Sequence, residues 1–301
     1  MNKSNIKGNV ILMITALIWG TAFVAQSVGM DYVGAFTFIT ARYIVGGLFL
    51  IPCIYFLDRI NKRAVKEISK DNKKILLTGG FLCGTALFTA SCFQQIGIQY
   101  TTVGKSGFIT ALYIIIVPLL GILFKKKVSV KVWISVVISL IGLYLLCMNE
   151  SFSISRGDFL ILMCAFCFSI HILIIDKYSS LVDGVRMSCI QFFVAGLLGV
   201  IPMFIFENPQ IKDMLNACSP ILYAGIMSSG VAYTLQIIGQ KYTSPVLATL
   251  IMSLESVFAA LSGWIILGEV LSLKEYIGCC LVFSAIILAQ LPDRKKVYSK
   301  K

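Results

Sequence analysis

Ionisable side chains are rare inside the long apolar stretches of this sequence, and Glu255 is the only acidic residue deep within one. It lies about 12 residues into its stretch, which at ~1.5 Å per residue is near the middle of a membrane-spanning helix. A carboxylate at that depth must bind a proton or a cation. Glu255 is therefore a candidate to contact the amine of a ligand or to exchange protons. The structural alternative is a fixed ion pair or a hydrogen bond to a broken helix.

Three basic residues also fall within apolar stretches. Arg42 is too deep to reach the membrane surface, so it is expected to pair with a carboxylate or with backbone carbonyls. Lys105 lies nearer to the end of its stretch, and the favoured interpretation is that its ammonium extends to the interface. His171 is the only histidine, and such a residue is more often a hydrogen-bonded packing residue than a proton relay.

Uncharged polar and aromatic residues could complete a binding cavity. Gln94 and Gln236 are deep enough to face one, and Tyr113 offers a hydroxyl at the position that an internal repeat pairs with Glu255. Trp19 and Tyr233 could line the walls, although an interfacial or packing role is the commoner case for such aromatics.

Enzyme chemistry is disfavoured, because it would need a metal cluster or a nucleophile with a base. One histidine and one deep carboxylate do not assemble either of them. Cys164 and Cys167 form a Cys-x-x-Cys inside an apolar stretch without a partner pair, which argues against zinc or redox chemistry. A Walker A motif is absent as well. We expect no catalytic residue, no metal site and no cofactor, and a membrane-embedded enzyme remains the alternative from a different class.

The composition requires a membrane: 58% of the 301 residues are hydrophobic and 13% are charged, with a mean hydropathy of +0.89. Soluble domains are nearer to about 45–50% apolar and about 25% charged. Apolar stretches predict ten spans at 10–28, 34–57, 75–97, 101–124, 131–148, 157–175, 185–206, 218–238, 243–267 and 273–291.

The basic residues predict the orientation of these spans. With the N-terminus inside, 21 of the 26 Lys and Arg residues fall on the inner side and 3 on the outer side. This bias follows the positive-inside rule and places both termini in the cytoplasm. It also accounts for the net charge of +12 without a nucleic-acid partner. The protein is expected to be a multi-pass protein of the cytoplasmic membrane, with the lipid bilayer as its environment.

The two halves of the sequence repeat each other. Three residues recur at an offset of 142: Gln94 with Gln236, Gly97 with Gly239, and Tyr100 with Tyr242. Upstream the offset is 149, as for Gly47 and Gly196. Residues 8–148 and 157–291 would each hold five spans, and an odd number inserts the second copy upside down. The predicted fold is an all-α membrane protein of ten helices in two inverted five-helix repeats around a central cavity.

Several motifs resemble the EamA family of the drug/metabolite transporter superfamily over nearly the whole chain. They are ALIWGT at 16–21, FITALY at 108–113 with Pro118-Leu119, and SLESVFAA at 253–260 followed by LGE at 267–269. The sequence departs from the family at Ser256, where proline is usual, and at 125–127, where many first repeats carry Gly-Glu-Arg. The resemblance implies ten helices around a central cavity, and movement of metabolites, amino acids or drugs across the membrane.

The expected function is a secondary transporter, and more specifically an exporter, of small metabolites such as amino acids by alternating access. The alternative within transport is efflux of lipophilic cationic drugs, which a buried glutamate also serves. An ion channel or a receptor fits less well, because the polar residues are sparse and the loops leave no domain for signalling. The expected partner is a small-molecule substrate.

Overall fold

A computed structural model describes residues 3–60, 70–101, 103–123, 128–147, 155–267 and 272–291. These residues form fourteen α-helices and one π-helical segment: α1 Lys3–Gly29, α2 Ala35–Ile60, α3 Lys70–Ile98, α4 Val103–Thr110, α5 Tyr113–Leu123, α6 Val130–Cys147, α7 Arg156–Tyr178, α8 Gly184–Phe206, α9 Ile211–Asn216, α10 Cys218–Leu222, the π segment Tyr223–Tyr233, α11 Thr234–Gln240, α12 Pro245–Met252, α13 Leu254–Leu267 and α14 Leu273–Gln290. No strand occurs among them.

Nine helical stretches in this part of the chain are long and apolar enough to cross a membrane. A shorter apolar helix, Val130–Leu146, coincides with the predicted fifth span. Large apolar side chains cover the outside of the bundle; Phe204, for example, is 68% exposed and Phe56 is 63% exposed. Such a surface is stable only against lipid. The protein is therefore a multi-pass membrane protein.

The fourth and ninth predicted spans, 101–124 and 243–267, are interrupted rather than continuous. The first is divided between α4 and α5 at Ala111, and the second between α12 and α13 at Ser253. Hydrogen bonds of the i→i−3 type mark both breaks. Ile114 N donates to Ala111 O at 3.0 Å, and Ser256 N donates to Ser253 O at 3.2 Å. The ninth span thus breaks without a proline at 256. The local backbone hydrogen bonds change there from the i→i−4 to the i→i−3 pattern.

Close contacts between helices recur in reciprocal form across the two halves. Helix α2 packs along α8, where Gly47 lies against the ring of Phe193 and Gly196 lies against Ile44. Each contact is converted into the other by the offset of 149. A Cβ atom at Gly47 would be 3.1 Å from the Phe193 ring, and one at Gly196 would be 2.9 Å from Ile44. The absence of side chains at both glycines lets the two helices approach closely.

Polar contacts join α2 and α8 at both of their ends, and they follow the same offset. At one end, the Arg186 guanidinium pairs with the Asp58 carboxylate at 2.5 Å. At the other end, Glu207 accepts hydrogen bonds from the backbone N–H groups of Phe36 and Thr37, each at 2.8 Å, and from the Thr37 hydroxyl at 2.6 Å. Asp58 and Glu207 are equivalent positions, so an acidic residue holds the start of the opposite helix at each end.

The π segment contains one residue more than the matching part of α3. Gly84 in α3 lies against the carbonyl of Gln191, and Gly225 in the π segment lies against the carbonyl of Arg42. Arg42 and Gln191 are related by the offset of 149, but Gly84 and Gly225 are only 141 residues apart. Further along these helices the offset is 142. A π-helical turn is how a helix absorbs a single inserted residue, and such turns are frequent at functional sites.

Candidate functional site

A central cavity lies in the middle of the bundle, where α1, α2, α3, α7, the π segment and α11 meet the two broken spans, α4 with α5 and α12 with α13. Its volume is about 40 Å³, which is room for a few water molecules. The residues that line it are Trp19, Phe23, Gln26, Arg42, Gln94, Thr110, Tyr113, Phe168, Ile172, Ser228, Tyr233, Gln236, Met252 and Glu255.

The structure brings seven of the nine sequence-predicted candidates together around this cavity. They are Trp19, Arg42, Gln94, Tyr113, Tyr233, Gln236 and Glu255. The eighth, His171, is not among the lining residues. The ninth, Lys105, belongs to α4, and its side chain lies outside the described part of the structure.

Glu255 enters the cavity from the first turn of α13 and is 5% exposed. Its Oε1 atom accepts a hydrogen bond of 3.0 Å from the hydroxyl of Tyr113, at the start of α5. Both residues follow directly after the breaks in their spans. The breaks therefore deliver a carboxylate and a phenol from opposite halves to one point, and the partner that holds the Glu255 carboxylate is neutral.

Arg42 lies in α2 and is 1% exposed. Its guanidinium donates to Gln26 Oε1 at 2.8 Å, to the Tyr43 hydroxyl at 2.6 Å and to Ser91 Oγ at 3.4 Å. It also stacks over the Tyr43 ring at 4.6 Å from the ring centroid. These partners are neutral, so the expected pairing of Arg42 with a carboxylate or with carbonyls is replaced by side-chain amide and hydroxyl acceptors. The guanidinium keeps its full positive charge beside the cavity.

Three polar atoms of the lining residues are buried without a hydrogen-bond partner among the described residues. They are Arg42 Nε, Thr110 Oγ1 and Gln236 Oε1. Buried donors and acceptors are nearly always satisfied, by protein or by water. All three atoms belong to residues that line the same small space, and the Arg42 N–H and the Gln236 oxygen are the groups that a polar occupant of the cavity would satisfy.

Aromatic rings form much of the remaining wall. The rings of Trp19 and Tyr233 are 4.7 Å apart between centroids and tilted by 59°. The indole N–H of Trp19 donates to the backbone carbonyl of Ser228 at 3.3 Å. Ser228 belongs to the π segment, whose widened turns free carbonyls for such contacts. These aromatic side chains thus give the cavity an apolar wall with a few oriented polar groups, which is typical of small-molecule sites.

His171 is fully buried beside the cavity. Its Nε2 atom lies 3.1 Å from Gln191 Oε1, and its ring packs against Phe168 and Tyr233. Whether His171 only packs, as the sequence favoured, or relays protons stays a prediction. Gln191 is the residue that the offset of 149 pairs with Arg42, so the two halves place different polar groups at equivalent positions.

Sequence reasoning missed several lining residues, notably Gln26, Thr110 and Ser228. Thr110 was detectable, because it lies one turn before Tyr113 in the FITALY motif. Gln26 was detectable as an amide less than one turn before the end of the first span. Ser228 carried no signal, since it is one of many small residues and contributes a backbone carbonyl to Trp19.

Metal binding finds no support in the described ranges, where no group of three or more His, Cys, Asp or Glu side chains is arranged to hold an ion. The cavity contributes one carboxylate and no thiolate ligand.

The sequence profile of the EamA-like transporter family matches residues 6–148 and 155–291. Together these two matches cover nearly the whole chain and all the residues of the cavity. The chain belongs to the EamA-like transporter family. Transport is therefore the activity that the helices, the apolar surface and the central cavity serve.

Similar proteins match this EamA-like chain over more than nine-tenths of its length. An uncharacterized transporter of Archaeoglobus fulgidus is 32% identical over 281 residues, covering 93% of this chain and 84% of the relative. A WAT1-related chloroplastic protein of Arabidopsis thaliana is 23% identical and covers 94% of this chain and 69% of the relative. A solved crystal structure is similar in fold, with a TM-score of 0.74, 17% identity, and coverage of 94% of this chain and 96% of the other.

Proposed function

We propose that this EamA-like protein is a secondary transporter that exports small zwitterionic metabolites, amino acids above all, from the cytoplasm by alternating access. The observation that carries the proposal is the coexistence of Arg42 and Glu255 around one central cavity. Export is the direction that this proposal adds to the family's general activity of transport.

Each of these two charged groups needs an opposite charge that the described side chains do not supply. The hydrogen-bond partners of Arg42 are Gln26, Tyr43 and Ser91, and that of Glu255 is Tyr113. Buried charges are costly unless they are paired. A molecule with both a carboxylate and an ammonium group would neutralise both residues at once. Its side chain would then contact the aromatic wall.

Cationic drugs fit this cavity less well than zwitterions do. Glu255 would attract a lipophilic cation, but the buried guanidinium of Arg42 would repel it inside the same low-dielectric space. The unpartnered Nε of Arg42 also offers an N–H donor for an oxygen anion. These two features favour a substrate with an anionic group and an ammonium group over a simple cation.

Ten helices in two inverted five-helix repeats, residues 8–148 and 157–291, provide the machinery in this proposal. Reciprocal contacts support it: Gly47 with Phe193 mirrors Gly196 with Ile44. Inverted repeats of this kind can exchange conformations, so that the cavity opens to one side and then to the other. The present cavity of about 40 Å³ must widen to admit an amino acid, as such an exchange requires.

Flux into proteoliposomes tests the function. Purified protein is reconstituted, and uptake of each common radiolabelled L-amino acid is measured against protein-free liposomes. At least one amino acid should be taken up saturably, and its decarboxylated amine and its deaminated acid should compete poorly. Saturable uptake of lipophilic cations without any amino-acid uptake would contradict the proposal.

Two variants test whether the cavity is the transport site. Glu255→Gln removes the cavity carboxylate, and Ser139→Ala is the matched control. Ser139 is buried in α6 away from the cavity and its hydroxyl has no partner among the described residues. Glu255→Gln should lose the uptake and Ser139→Ala should keep it. Equal uptake by both variants would show that the cavity is not the transport site.

A further inference from the structure

A second pocket lies at the face of the bundle where the N-terminus is found. It has a volume of about 480 Å³, and it is formed where the ends of α7 and α11 meet the start of α12. Thr243 at its edge donates a hydrogen bond of 3.1 Å to Asn9 in the second turn of α1. The residues that line the pocket are Asp176, Ser179, Ser180, Gln240, Lys241, Tyr242, Thr243, Ser244 and Leu247.

Two polar atoms of this lining are buried without a partner in the described part of the chain. They are the hydroxyl oxygen of Ser179, whose residue is 2% exposed, and Oε1 of Gln240, whose residue is 3% exposed. An unsatisfied buried polar atom costs about 1–3 kcal/mol. Both atoms belong to residues that line one polar pocket, so a ligand or water that enters the pocket would lie next to groups that lack a hydrogen bond.

The charges and hydroxyls of the lining restrict the kind of ligand. Asp176 and Lys241 carry opposite charges, so the pocket as a whole is neutral. Ser180, Thr243 and Ser244 add hydroxyl groups. A polyanion would meet Asp176 and a lipophilic cation would meet Lys241 and few apolar atoms. The lining suits a small polar molecule that carries both charges.

One residue connects this pocket with the central cavity. Gln240 lines the pocket, and its Nε2 atom donates a hydrogen bond of 3.1 Å to the backbone carbonyl of Ile172. Ile172 lines the central cavity. The hydrogen bond therefore joins a residue of the pocket to a residue of the cavity, and we call this contact the barrier. Oε1 of the same amide has no partner among the described residues, so a ligand in the pocket that reorients the amide would also break the barrier contact.

A comparable contact is found at the opposite end of the bundle. Gln95 in α3 donates through Nε2 to the backbone carbonyl of Gln26 in α1 at 3.4 Å, and Gln26 also lines the central cavity. The helices α3 and α1 occupy the place in the first half that α11 and α7 occupy in the second. Each end of the cavity is thus bridged by a glutamine amide bound to a carbonyl of a cavity-lining residue.

We propose that the pocket at the N-terminal face is a second binding site for the same small zwitterionic substrate, an access site that precedes the central cavity. Gln240 belongs to the pocket and to the barrier, so it links occupancy of the access site to opening towards Glu255. The identity of the ligand rests on the proposed function, whereas the existence of the site rests on the pocket itself.

Thiol labelling tests the site. In a variant without native cysteines, Ser180→Cys places an exposed thiol in the pocket and Leu181→Cys places one beside it, since Leu181 is 55% exposed and outside the lining. Inside-out vesicles are labelled with a membrane-impermeant maleimide in the presence of each common L-amino acid or of inorganic phosphate. At least one amino acid should slow labelling at Ser180→Cys and not at Leu181→Cys.

Two further substitutions separate the access site from the central cavity. Protection should persist when Glu255→Gln is added. Ser179→Ala should raise the amino-acid concentration for half-protection about 2- to 10-fold, since it removes one hydrogen bond. Ser139→Ala, which removes another unpartnered hydroxyl elsewhere, should leave it unchanged. Should the cysteine-free protein fail to fold, equilibrium dialysis of Glu255→Gln should still detect amino-acid binding, which Gln240→Leu should abolish.

The outcomes distinguish this proposal from the proposed function. Absence of protection by any amino acid, protection that disappears with Glu255→Gln, or protection by phosphate alone would each overturn the access site. Amino-acid uptake without protection would leave transport standing and remove the second site. Protection without uptake would leave the second site standing and contradict the proposed transport.

Discussion

Tyr113 and Glu255 are 142 residues apart and are joined by a hydrogen bond of 3.0 Å between the phenol and the carboxylate. The same number relates Gln94 to Gln236, so the two bonded residues occupy equivalent positions in the two halves of the sequence. Equivalent residues can touch each other only close to the axis that relates the halves. In the proposed inverted repeat, that axis passes beside the one deep carboxylate.

Glu255→Gln should abolish pH-dependent transport while leaving the protein inserted and monodisperse. Glutamine keeps the shape and an oxygen acceptor for the Tyr113 hydroxyl, and it loses only the negative charge and the ability to exchange a proton. The measurement is flux into proteoliposomes over a range of pH, made beside size-exclusion chromatography on the same preparation.

The melting temperature of the same variant separates this role from a static one. Were Glu255 the fixed partner of a buried cation, its neutralisation would destabilise the fold by roughly 3–5 kcal/mol. The structure gives Arg42 other partners, so we expect only a small change. Normal flux with unchanged pH dependence in Glu255→Gln would rule out the coupling role.

Tyr113→Phe should destabilise the protein by about 1–3 kcal/mol, because it leaves a buried carboxylate without its donor. In a Glu255→Gln background the same substitution should cost less, since a neutral amide is less costly to leave unpaired. The double-mutant cycle, measured by reversible unfolding in detergent, reports the coupling between the two side chains. Additive effects would show that the hydrogen bond is energetically unimportant.

The sequence predicted the all-helical membrane fold because the bilayer imposes simple rules. Membrane-spanning helices appear as apolar stretches, and recurring residues such as Gln94 and Gln236 predict the repeat. It did not predict the breaks at Ala111 and Ser253, because neither is marked by proline or by a pair of glycines. At those breaks the backbone hydrogen bonds change from the i→i−4 to the i→i−3 pattern, and this change is visible only in the folded structure.

The candidate site was predictable where charge was the signal. Glu255 and Arg42 stand out because a bilayer makes ionised groups conspicuous. The partner of Glu255 is the Tyr113 hydroxyl to which the repeat offset pointed. The acceptors of Arg42 carried no such signal, since they are ordinary amides and hydroxyls. The π segment was also hidden, because its extra residue becomes visible only when contacts of Gly84 and Gly225 are compared in space.

Arg42→Lys should raise the KM for a zwitterionic substrate about 10-fold or more while leaving the protein folded. Lysine keeps the positive charge but loses the planar fork that donates to Gln26 and Tyr43, and a charged hydrogen bond is worth about 1.5–3 kcal/mol. Initial uptake rates at several substrate concentrations provide the measurement. An unchanged KM would mean that Arg42 supports the structure without contacting the substrate.

Reporter fusions test the orientation inferred from the basic residues. Fusions after Lys66 and at the C-terminus should report a cytoplasmic location, and a fusion after Asn208 should report the outer side. The physical reason is the excess of Lys and Arg in the predicted inner loops. An outer location for the C-terminus would contradict the arrangement of ten spans.

The two ends of the α2 and α8 pair satisfy their first-turn N–H groups differently. Asp183 caps α8 locally, and its side chain accepts from the N–H groups of that helix's first turn. The equivalent position before α2 is Gly34, and there the carboxylate of Glu207 from the other half takes the place of the cap. A Cβ atom at Gly34 would lie 2.2 Å from Glu207 Cδ, so a side chain at this position would displace the Glu207 carboxylate from its hydrogen bonds.

Moving the capping carboxylate of α2 from Glu207 to position 34 should restore the stability that Gly34→Asp and Glu207→Ala each remove. Glu207→Ala should cost about 0.5–2 kcal/mol through loss of the cap, and Gly34→Asp should destabilise because its side chain collides with the Glu207 carboxylate. The double variant Gly34→Asp with Glu207→Ala should recover most of the loss, since an aspartate then caps α2 as Asp183 caps α8. Thermal unfolding of the three variants, with Asp183→Ala as the matched control, measures this. A double variant as unstable as the sum of the singles would show that Glu207 stabilises the protein by some means other than capping α2.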